Sequence, residues 1–543
     1  MEKLMAIVDI ERNIQYYKNR LEVLKRKRQP YDPKWDEMAI FCDPRNAYFK
    51  VQRSNGDWSQ LIPKMDDTAQ LHLPSFAAVM NSLMTPQAYR WHKMVFVNDD
   101  TQAQYGSALD MQNEMLFNLR YSAYSNFQAA INEIYMSLGV FGLAILQMVP
   151  DLKRKRVSYQ TLPIKEFYID KDAFGYINTF YRVVNMKMRS VLRQFKDYIP
   201  EKYKDRNDTK WLDDEIEVLH VVEPSFKDGD KYHTAYIDLS NGEYMEEPKE
   251  MSYSQYMCVR AAVFPSSDDP YGFSPCMSVL PSIKELNSLQ FNYLKQTDLA
   301  GQPTLLTNSD IIDATKVAAN GTVVEGGIDD EGRPMVQALR TYGEMPAMDY
   351  QIQQLQEKIR QALFVNYLAS FSPTQSRSAT DAMIKANEKA NLVAPAGDRI
   401  ARELLLPMIE AELRIYGDMN MLPAMPAEIK NMKTEFDIVL DSPLLKGQRM
   451  DSVNSAVTLV QYISQFAAID PSAANTINAE RMIRYLQETM NVPVSVMNTQ
   501  EEVEAIAEAK AQAQEMQTLV QNASGLGSAV KDLADAGRIA EGA

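Results

Sequence analysis

The stretch Tyr271–Pro303 reads YGFSPCMSVLPSIKELNSLQFNYLKQTDLAGQP and decides how the rest of the chain is organised. Residues Pro281 to Ala300 would form a helix about 30 Å long at ~1.5 Å per residue. Pro281 cannot donate a hydrogen bond to the preceding turn, so it either kinks this helix or marks its start. The helix has two unlike faces, one that can pack and one that can line a surface. The apolar face carries Val279, Ile283, Leu286, Leu289 and Tyr293, and the polar face carries Lys284, Asn287, Ser288 and Lys295.

A Gly-rich segment, residues 304–339, follows this helix and has only short β-like runs, which predicts a small insert. Helical spacing returns at Asp349. The Ser/Thr/Pro-rich stretch SPTQSRSAT, Ser372–Thr380, then interrupts the second helix. One face of that helix carries Ile352, Leu355, Ile359, Leu363 and Phe364. The sequence therefore predicts the order helix, insert, helix.

The segments on either side of this core predict an α+β protein that is predominantly helical. Upstream, helices are expected within residues 1–42 and 71–85 and from Asp110 to Leu138. A strand is expected at 91–97, and two strand pairs, at 143–162 and around Asp172 and Gly175, are expected to form a small antiparallel sheet. Strands continue through 212–263. Downstream, an interrupted helix from Ala379, one strand in TEFDIVLDSPL (434–444) and further helices are expected.

Composition limits the class of protein. A chain of 543 residues should contain two or more packed units. Its net charge of −15 disfavours tight binding of nucleic acid over the whole surface, which needs many Lys and Arg. The start of the chain lacks a signal-peptide pattern, and the apolar stretch Tyr135–Pro150 is shorter than the ~20 residues of a spanning helix. Three widely spaced cysteines suggest no disulfide framework, which fits a reducing cytoplasm.

The tetrapeptide KRKR occurs twice, at Lys25–Arg28 and Lys153–Arg156. The first is expected to end a helix, where cations complement the helix dipole, although contact with DNA or a partner is the alternative. The second is expected at a hairpin turn. There a solvated tip is the simpler interpretation, and a nucleic-acid site is the alternative.

Motifs of known enzyme classes are absent from the sequence. The chain has no GxxxxGK[ST] loop, no HExxH and no GxSxG, and no cofactor is expected. Three acidic pairs could in principle hold catalytic metal ions, but solvated turns explain them more simply. The His residues are expected to be structural. The three acidic pairs are Asp213-Asp214, Asp268-Asp269 and Asp329-Asp330. The four His residues are His72, His92, His220 and His233.

The order of several segments resembles the portal proteins, or head-to-tail connectors, of short-tailed double-stranded DNA phages. The resemblance covers most of the chain, and its most specific part is the Tyr-Gly-x-Ser-Pro start of a Leu/Asn-rich helix. The segments that carry it are YYKNRLEVLKRKRQPYDPKWDEMAIFCDP (16–44), LPSFAAVMNSLMTPQAYRWHKM (73–94), GVFGLAILQM (139–148), YIDKDAFGYINTFYR (168–182) and YGFSPCMSVLPSIKELNSLQ (271–290).

The resemblance implies a ring of usually twelve subunits around a DNA channel, with wing, stem, clip and crown regions. Residues 1–272 and 381–448 would form the wing, and 273–301 and 348–371 the two stem helices. Residues 302–347 would form the clip, 372–380 the channel loop, 449–500 the crown, and 501–543 a C-terminal helix and tail that could extend the crown into a barrel. The candidates for contact with DNA are Gln375, Arg377, Lys295 and Lys284.

The resemblance also implies partners and a location. The ring would sit at the portal vertex of the capsid after synthesis in the host cytoplasm. It would contact double-stranded DNA, the terminase large subunit, the major capsid protein and scaffold, tail adaptor proteins and internal core or ejection proteins, but no membrane. The alternatives are a metal-dependent nucleic-acid-processing enzyme and a peripheral membrane or scaffold protein; the second is disfavoured by the acidic polar face of the last helix.

Overall fold

The computed structural model describes residues 13–46, 64–196, 198–204, 209–226, 231–261, 270–301, 304–307, 312, 327–329, 331–338, 345–365, 397–423, 436–440, 455–466 and 482–483. The chain divides into two compact units. The first contains residues 1–97 and 111–449, and the second contains residues 98–110 and 450–543. Within the second unit, residues 455–466 are helical, as predicted for this part of the chain.

The described secondary structure mixes helices and strands, as the sequence predicts. The helices are Ile14–Arg28, Asp32–Cys42, Thr68–Met84, Asp99–Arg120, Phe127–Phe141, Met188–Gln194, Glu201–Lys204, Pro275–Gly301, Met345–Ala362 and Leu406–Asp418, the last preceded by a π-helical turn, Ala401–Leu405. The strands are β1 His92–Phe96, β2 Leu143–Asp151, β3 Arg156–Leu162, β4 Phe167–Lys171, β5 Ile177–Lys187, β6 Glu215–Pro224, β7 Tyr232–Asp238, β8 Glu243–Tyr244, β9 Lys249–Met251, β10 Tyr256–Arg260, β11 Leu305–Thr307, β12 Val336–Ala338 and β13 Phe436–Leu440.

The largest sheet has helices on both faces. Its strands run in the order β4-β5-β6-β7-β8, and β9 also pairs with β7. Because side chains alternate between faces along a strand, Leu219 and Val221 of β6 pack with the first helix, while Ile216 and Val218 pack with the Met188–Gln194 helix. The first helix contributes Tyr17, Leu21 and Leu24 to this core, in agreement with the apolar side predicted for it.

The prediction of one small antiparallel sheet is wrong, because the strands form two main sheets. The hairpin of β2 and β3 pairs with β10 in a separate sheet of three strands, in the order β10-β2-β3. β10 pairs with β2 along its whole length, from Tyr256 opposite Gln147 to Arg260 opposite Leu143, and its five residues are all buried. The hairpin itself is confirmed, with Asp151 opposite Arg156 at its end.

The continuous helix predicted from Asp110 to Leu138 is also wrong. It is two helices, separated at residues 121–126. Ser125 is buried in the break; its hydroxyl donates to the Ser122 carbonyl at 2.9 Å, and its own carbonyl accepts from the Tyr159 amide at 2.9 Å. Asn126 adopts a left-handed conformation with φ of 60°. The break thus lets the chain turn and bind β3.

Two further predictions concern strands and apolar segments. The predicted strand at 91–97 is β1, and it pairs antiparallel with β13, the strand predicted in TEFDIVLDSPL. The apolar stretch Tyr135–Pro150 ends one helix and forms most of β2.

Among the described residues, the helices are too short or too polar to span a membrane. The three cysteines are buried free thiols.

Candidate functional site

The helix Pro275–Gly301, here called the long helix, starts at a defined N-cap. The Ser274 hydroxyl accepts a hydrogen bond from the Met277 amide at 2.9 Å and donates one to the Val140 carbonyl at 2.7 Å. Pro275 follows as the first helical residue, where its missing N–H removes no helical hydrogen bond. Of the two roles predicted for Pro281, the start of the helix is therefore excluded, because Pro281 lies in its interior.

Two glycines bring the start of the long helix against β2. A Cβ added to Gly272 would lie 2.2 Å from the Gly142 carbonyl oxygen, and one added to Gly142 would lie 2.7 Å from the Gly272 oxygen. Gly142 also has a φ of 72°, which favours glycine. The two backbones therefore touch at a distance that no other residue type permits.

Aromatic side chains pack beside these glycines. The ring of Tyr271 lies 4.6 Å from that of Tyr31 and 5.2 Å from that of Trp35, measured between centroids. Trp35 is fully buried, and its indole nitrogen donates to the Phe141 carbonyl at 3.2 Å. The segment Tyr-Gly-x-Ser-Pro thus fixes the long helix to the N-terminal helices and to β2 through packing, close backbone contact and a cap.

The middle of the long helix is held by a polar junction. The Asn287 side-chain oxygen accepts from the amides of Met65 and Asp66 at 3.1 and 3.2 Å. Asp66 in turn accepts from Gln356 of the Met345–Ala362 helix at 3.0 Å and from the Thr68 amide at 2.9 Å. Both helices are therefore attached to the start of the Thr68–Met84 helix.

The helix Met345–Ala362, here called the second helix, packs against the long helix. Its predicted apolar face is confirmed, since Ile352, Ile359 and Leu363 are buried. The helix begins before the predicted Asp349 and ends before the predicted Phe371, because Phe364 has a φ of 54° and stacks on Phe76 with ring centroids 6.0 Å apart. Residues 366–371 lie outside the described residues.

The helix pair, meaning the long helix and the second helix together, is covered at one end and uncovered at the other. Val279, Ile283 and Leu286 are buried near the start of the long helix. Three large apolar side chains beyond Gln290, and one near the start of the second helix, are about half exposed or more. They are Phe291, Leu294, Leu299 and Tyr350. These four side chains therefore present apolar surface at this end of the pair.

Of the four candidate DNA-contacting residues, the structure describes two, Lys284 and Lys295. Lys284 forms an ion pair with Glu37 of the Asp32–Cys42 helix, so it is engaged within its own chain. Lys295 is exposed on the long helix. Eleven residues of helix separate the two lysines, or ~16 Å along the axis. Gln375 and Arg377 lie outside the described residues.

A buried ion pair, which sequence reasoning missed, joins the N-terminal and C-terminal parts of the first unit. Arg120 and Glu412 are both 0% exposed, and the Arg120 Nε donates to Glu412 Oε1 at 2.9 Å. The Tyr159 hydroxyl donates to the same oxygen at 2.5 Å, and Arg120 lies 3.2 Å from His92 Nδ1. A signal was present in the sequence, because Glu412 falls on the apolar face of its helix, between Met408 and Tyr416.

The protonation of this cluster is fixed by burial and by charge. Burial lowers the pKa of His92 well below its usual range, and the charge of Arg120 lowers it further. Burial raises the pKa of Tyr159 well above its usual value, and Glu412 adds to the shift. At neutral pH His92 is therefore neutral and Tyr159 remains a hydrogen-bond donor. The cluster is a structural clasp, meaning that its buried ion pair and hydrogen bonds hold the N-terminal and C-terminal parts of the first unit together.

The other His residues have structural partners. His220 is buried between the Tyr256 hydroxyl at 2.6 Å and the Thr234 hydroxyl at 2.9 Å, and burial lowers its pKa to about 3. His233 contacts the Tyr17 hydroxyl at 2.7 Å, and His72 accepts from Arg360 at 3.3 Å. These contacts match the structural role predicted for them.

The acidic pairs are likewise engaged in local contacts where they are described. Asp213 pairs with Arg189 at 3.4 Å, Asp214 accepts from the Tyr203 hydroxyl at 2.9 Å, and Asp329 pairs with Arg333 at 2.9 Å. The described residues contain no group of three or more His, Cys, Asp or Glu placed to hold a metal ion. Asp268, Asp269 and Asp330 are outside this description.

Comparison with known proteins gives a family match along most of the chain. The family described as "Bacteriophage head to tail connecting protein" matches residues 15–497. The "Probable portal protein" of Bordetella phage BPP-1 is 24% identical over 476 residues, 84% of each chain. The "Portal protein" of Salmonella phage epsilon15 is 23% identical over 521 residues, 92% of this chain and 91% of the relative.

Among solved structures, one titled "Neck of empty GTA particle computed with C6 symmetry" overlays on 77% of this chain and 89% of its own. The TM-score is 0.34 and the sequence identity 13%.

Proposed function

This chain belongs to the family of bacteriophage head-to-tail connecting proteins, and we propose that it is a phage portal protein. A protein that connects head to tail is a structural component of the virion, with the capsid on one side and the tail on the other. The family match gives no support to the alternative of a metal-dependent nucleic-acid-processing enzyme.

The observation that carries the proposal is the family match over residues 15–497, supported by the helix pair. The pair is anchored at one end by Ser274 and the two glycines and leaves apolar side chains exposed at the other. Copies arranged in a ring would cover these side chains with those of their neighbours. We expect twelve copies around a channel for double-stranded DNA.

The regions of the ring would follow the order of the chain. The helix pair, 273–301 and 348–371 with their described bounds at Pro275–Gly301 and Met345–Ala362, would be the stem. The segment 302–347 between them would be the clip, and 372–380 the channel loop. Residues 1–272 and 381–448 would form the wing, 449–500 the crown, and 501–543 an extension of it.

The charge of the chain suits passage of DNA better than its capture. A net charge of −15 repels phosphate at short range, so DNA can slide while a few cations make transient contacts. Lys295, which is exposed on the long helix, and Gln375 and Arg377 of the channel loop are the proposed contacts. Lys284 is a weaker candidate because Glu37 already pairs with it.

The proposed partners follow from the position of a portal. The ring would dock the terminase large subunit during packaging and tail adaptor proteins afterwards. It would contact the major capsid protein and scaffold during assembly, and internal core or ejection proteins inside the head. Synthesis would take place in the host cytoplasm.

Loss of this chain is expected to abolish packaging. A phage with a stop codon early in this chain should make heads without DNA, because the genome has no conduit into the capsid. Nuclease-protected DNA per head measures the effect, and supplying the chain in trans should restore it. Normal amounts of protected DNA in the stop-codon phage would contradict the proposal.

Replacing Arg377 with alanine should leave ring assembly intact and alter DNA packaging or retention. The expected cause is the loss of a phosphate contact in the channel loop. Nuclease-protected DNA per head measures the effect. The matched control is Arg402→Ala, since Arg402 is an exposed cation paired with Asp398. Unchanged packaging and retention in Arg377→Ala would remove this residue from the proposed path.

A further inference from the structure

The two KRKR segments have different surroundings. In the first, Lys25 pairs with Glu22 and Lys27 with Asp170, both at 3.0 Å. Arg28 is buried and pairs with Asp32 at 3.0 Å. The cations of this segment are thus largely engaged inside the chain, in agreement with the structural interpretation of its sequence.

The second KRKR forms the end of the β2-β3 hairpin and is directed to solvent. Lys153, Arg154 and Lys155 are exposed, and the side chain of Arg154 is 71% exposed. Asp151 is the acidic residue of the turn, and its carboxylate accepts from the Arg154 amide at 3.1 Å. Its distances to the guanidinium nitrogens of Arg154 and Arg156 are 4.0 and 3.7 Å, so it neutralises them weakly.

The shape of the turn is fixed, which keeps the cations close together. The Asp151 side chain caps the turn, and Lys155 has a φ of 50°, in the left-handed region that a lysine rarely occupies. Four cations and one carboxylate fall within residues 151–156, a net charge of +3 from 4 minus 1. In a chain with a net charge of −15, this is a local reversal of sign.

An exposed aromatic ring completes the surface. Tyr124 is 74% exposed, and the guanidinium of Arg156 lies 5.2 Å from the centre of its ring. The ring attracts the Arg156 guanidinium and so holds this cation beside the three exposed ones. We define the basic tip as Tyr124 and Lys153–Arg156.

Phosphate fits the basic tip better than a protein partner does. Lysine is depleted at the centres of protein–protein interfaces, which need an apolar core and a buried area of ~1,000 Å² or more. A turn of six residues offers neither. Contacts with the DNA backbone require only closely spaced Lys and Arg that can reach successive phosphates.

The basic tip is separate from the start of the helix pair. Leu143, at the other end of β2, follows Gly142, which touches Gly272 just before the long helix. The nine residues of β2 place the turn up to ~30 Å from that contact, at ~3.3 Å per residue. The tip therefore cannot be part of the anchored start of the long helix.

We propose that the basic tip is a binding site for the phosphate backbone of DNA, additional to any contact in a channel. The inference does not depend on the ring, because each copy of the chain carries a complete tip. It adds to a connector function a second surface that holds DNA without reading its sequence.

The test compares two full-length variants with equal charge. In the first, Lys153, Arg154 and Lys155 are all replaced by Gln. In the second, the matched control, three exposed lysines elsewhere in the first unit are replaced by Gln. These are Lys196, Lys202 and Lys210. Binding of each to a fluorescein-labelled 30-base-pair duplex is measured between 50 and 200 mM NaCl.

The tip variant is expected to bind the duplex about 10-fold more weakly than the wild type at 50 mM NaCl. Its dependence of log affinity on log salt should be shallower by about 2 to 3, the value for three phosphate contacts. The control should lose much less affinity. Unchanged melting midpoints would show that both variants remain folded.

Three results would overturn the proposal. The wild type could fail to bind the duplex at 50 mM NaCl, or the tip variant and the control could bind it equally. The third result comes from a second binding measurement, in which polyglutamate replaces the duplex. In it, the tip variant would lose the binding to polyglutamate that the wild type shows, while keeping its affinity for DNA. That result would assign the tip to an acidic protein segment instead.

Discussion

Replacing Glu412 with glutamine is expected to lower the free energy of unfolding by about 3 to 5 kcal/mol, among the largest effects of any single change in the chain. The substitution keeps the shape of the side chain and removes its charge. Arg120 would remain 0% exposed without a counter-charge, and Tyr159 would lose a charged acceptor. Leaving one charge of a buried pair uncompensated costs far more than an exposed pair contributes.

Urea unfolding followed by tryptophan fluorescence measures this effect. Trp91 is a suitable probe because it is buried and lies 4.8 Å from the Arg120 guanidinium. The matched control is Asp398→Asn, which removes an acid whose pair with Arg402 is exposed on both sides and should cost less than about 1 kcal/mol. Equal shifts in the two variants would show that Arg120 and Glu412 are not a clasp.

Replacing Gly272 with alanine is expected to cost about 3 kcal/mol and to loosen the start of the long helix. The new Cβ would lie 2.2 Å from the Gly142 carbonyl oxygen, and a backbone atom cannot move aside as a flexible side chain can. Strain at this point would also disturb the Ser274 hydrogen bonds and the packing of Tyr271 on Trp35. The melting midpoint and the resistance of the long helix to proteolysis report the change.

The same helix offers the control. A Cβ added to Gly301, its last residue, would meet no atom within 4 Å. Gly301→Ala should therefore be neutral or stabilising by up to ~1 kcal/mol, because alanine favours the helix. If Gly272→Ala melts at the same temperature as Gly301→Ala, the close contact of the two backbones does not constrain the fold.

Periodicity predicted the elements that have one strongly apolar face. The long helix, the first helix with Leu21 and Leu24, and the β2-β3 hairpin all lie where their patterns placed them. Each of these signals is local, because it depends on residues within a few turns or one hairpin. The family resemblance, which rested on the order of such segments, is confirmed by the match over residues 15–497.

The features that the sequence could not predict are a helix break, a strand pairing, an ion pair and a backbone contact. Each of them depends on residues that are far apart in the sequence. At the break in residues 121–126, the Ser125 carbonyl accepts from the Tyr159 amide. In the three-stranded sheet, β10 pairs with β2, which lies more than 100 residues earlier in the chain. Lys284 is an exposed cation, as its pattern indicates, but its ion pair with Glu37 joins residues far apart in the sequence. The Gly142–Gly272 contact depends on two backbones, and no pattern of side chains encodes it.

Copies of this chain are proposed to assemble into a ring with a channel. Negative-stain electron microscopy of the purified full-length chain can detect such a ring. We expect ring-shaped particles with a central hole, and rotational averaging should give twelve subunits. Monodisperse monomers under all assembly conditions would contradict it.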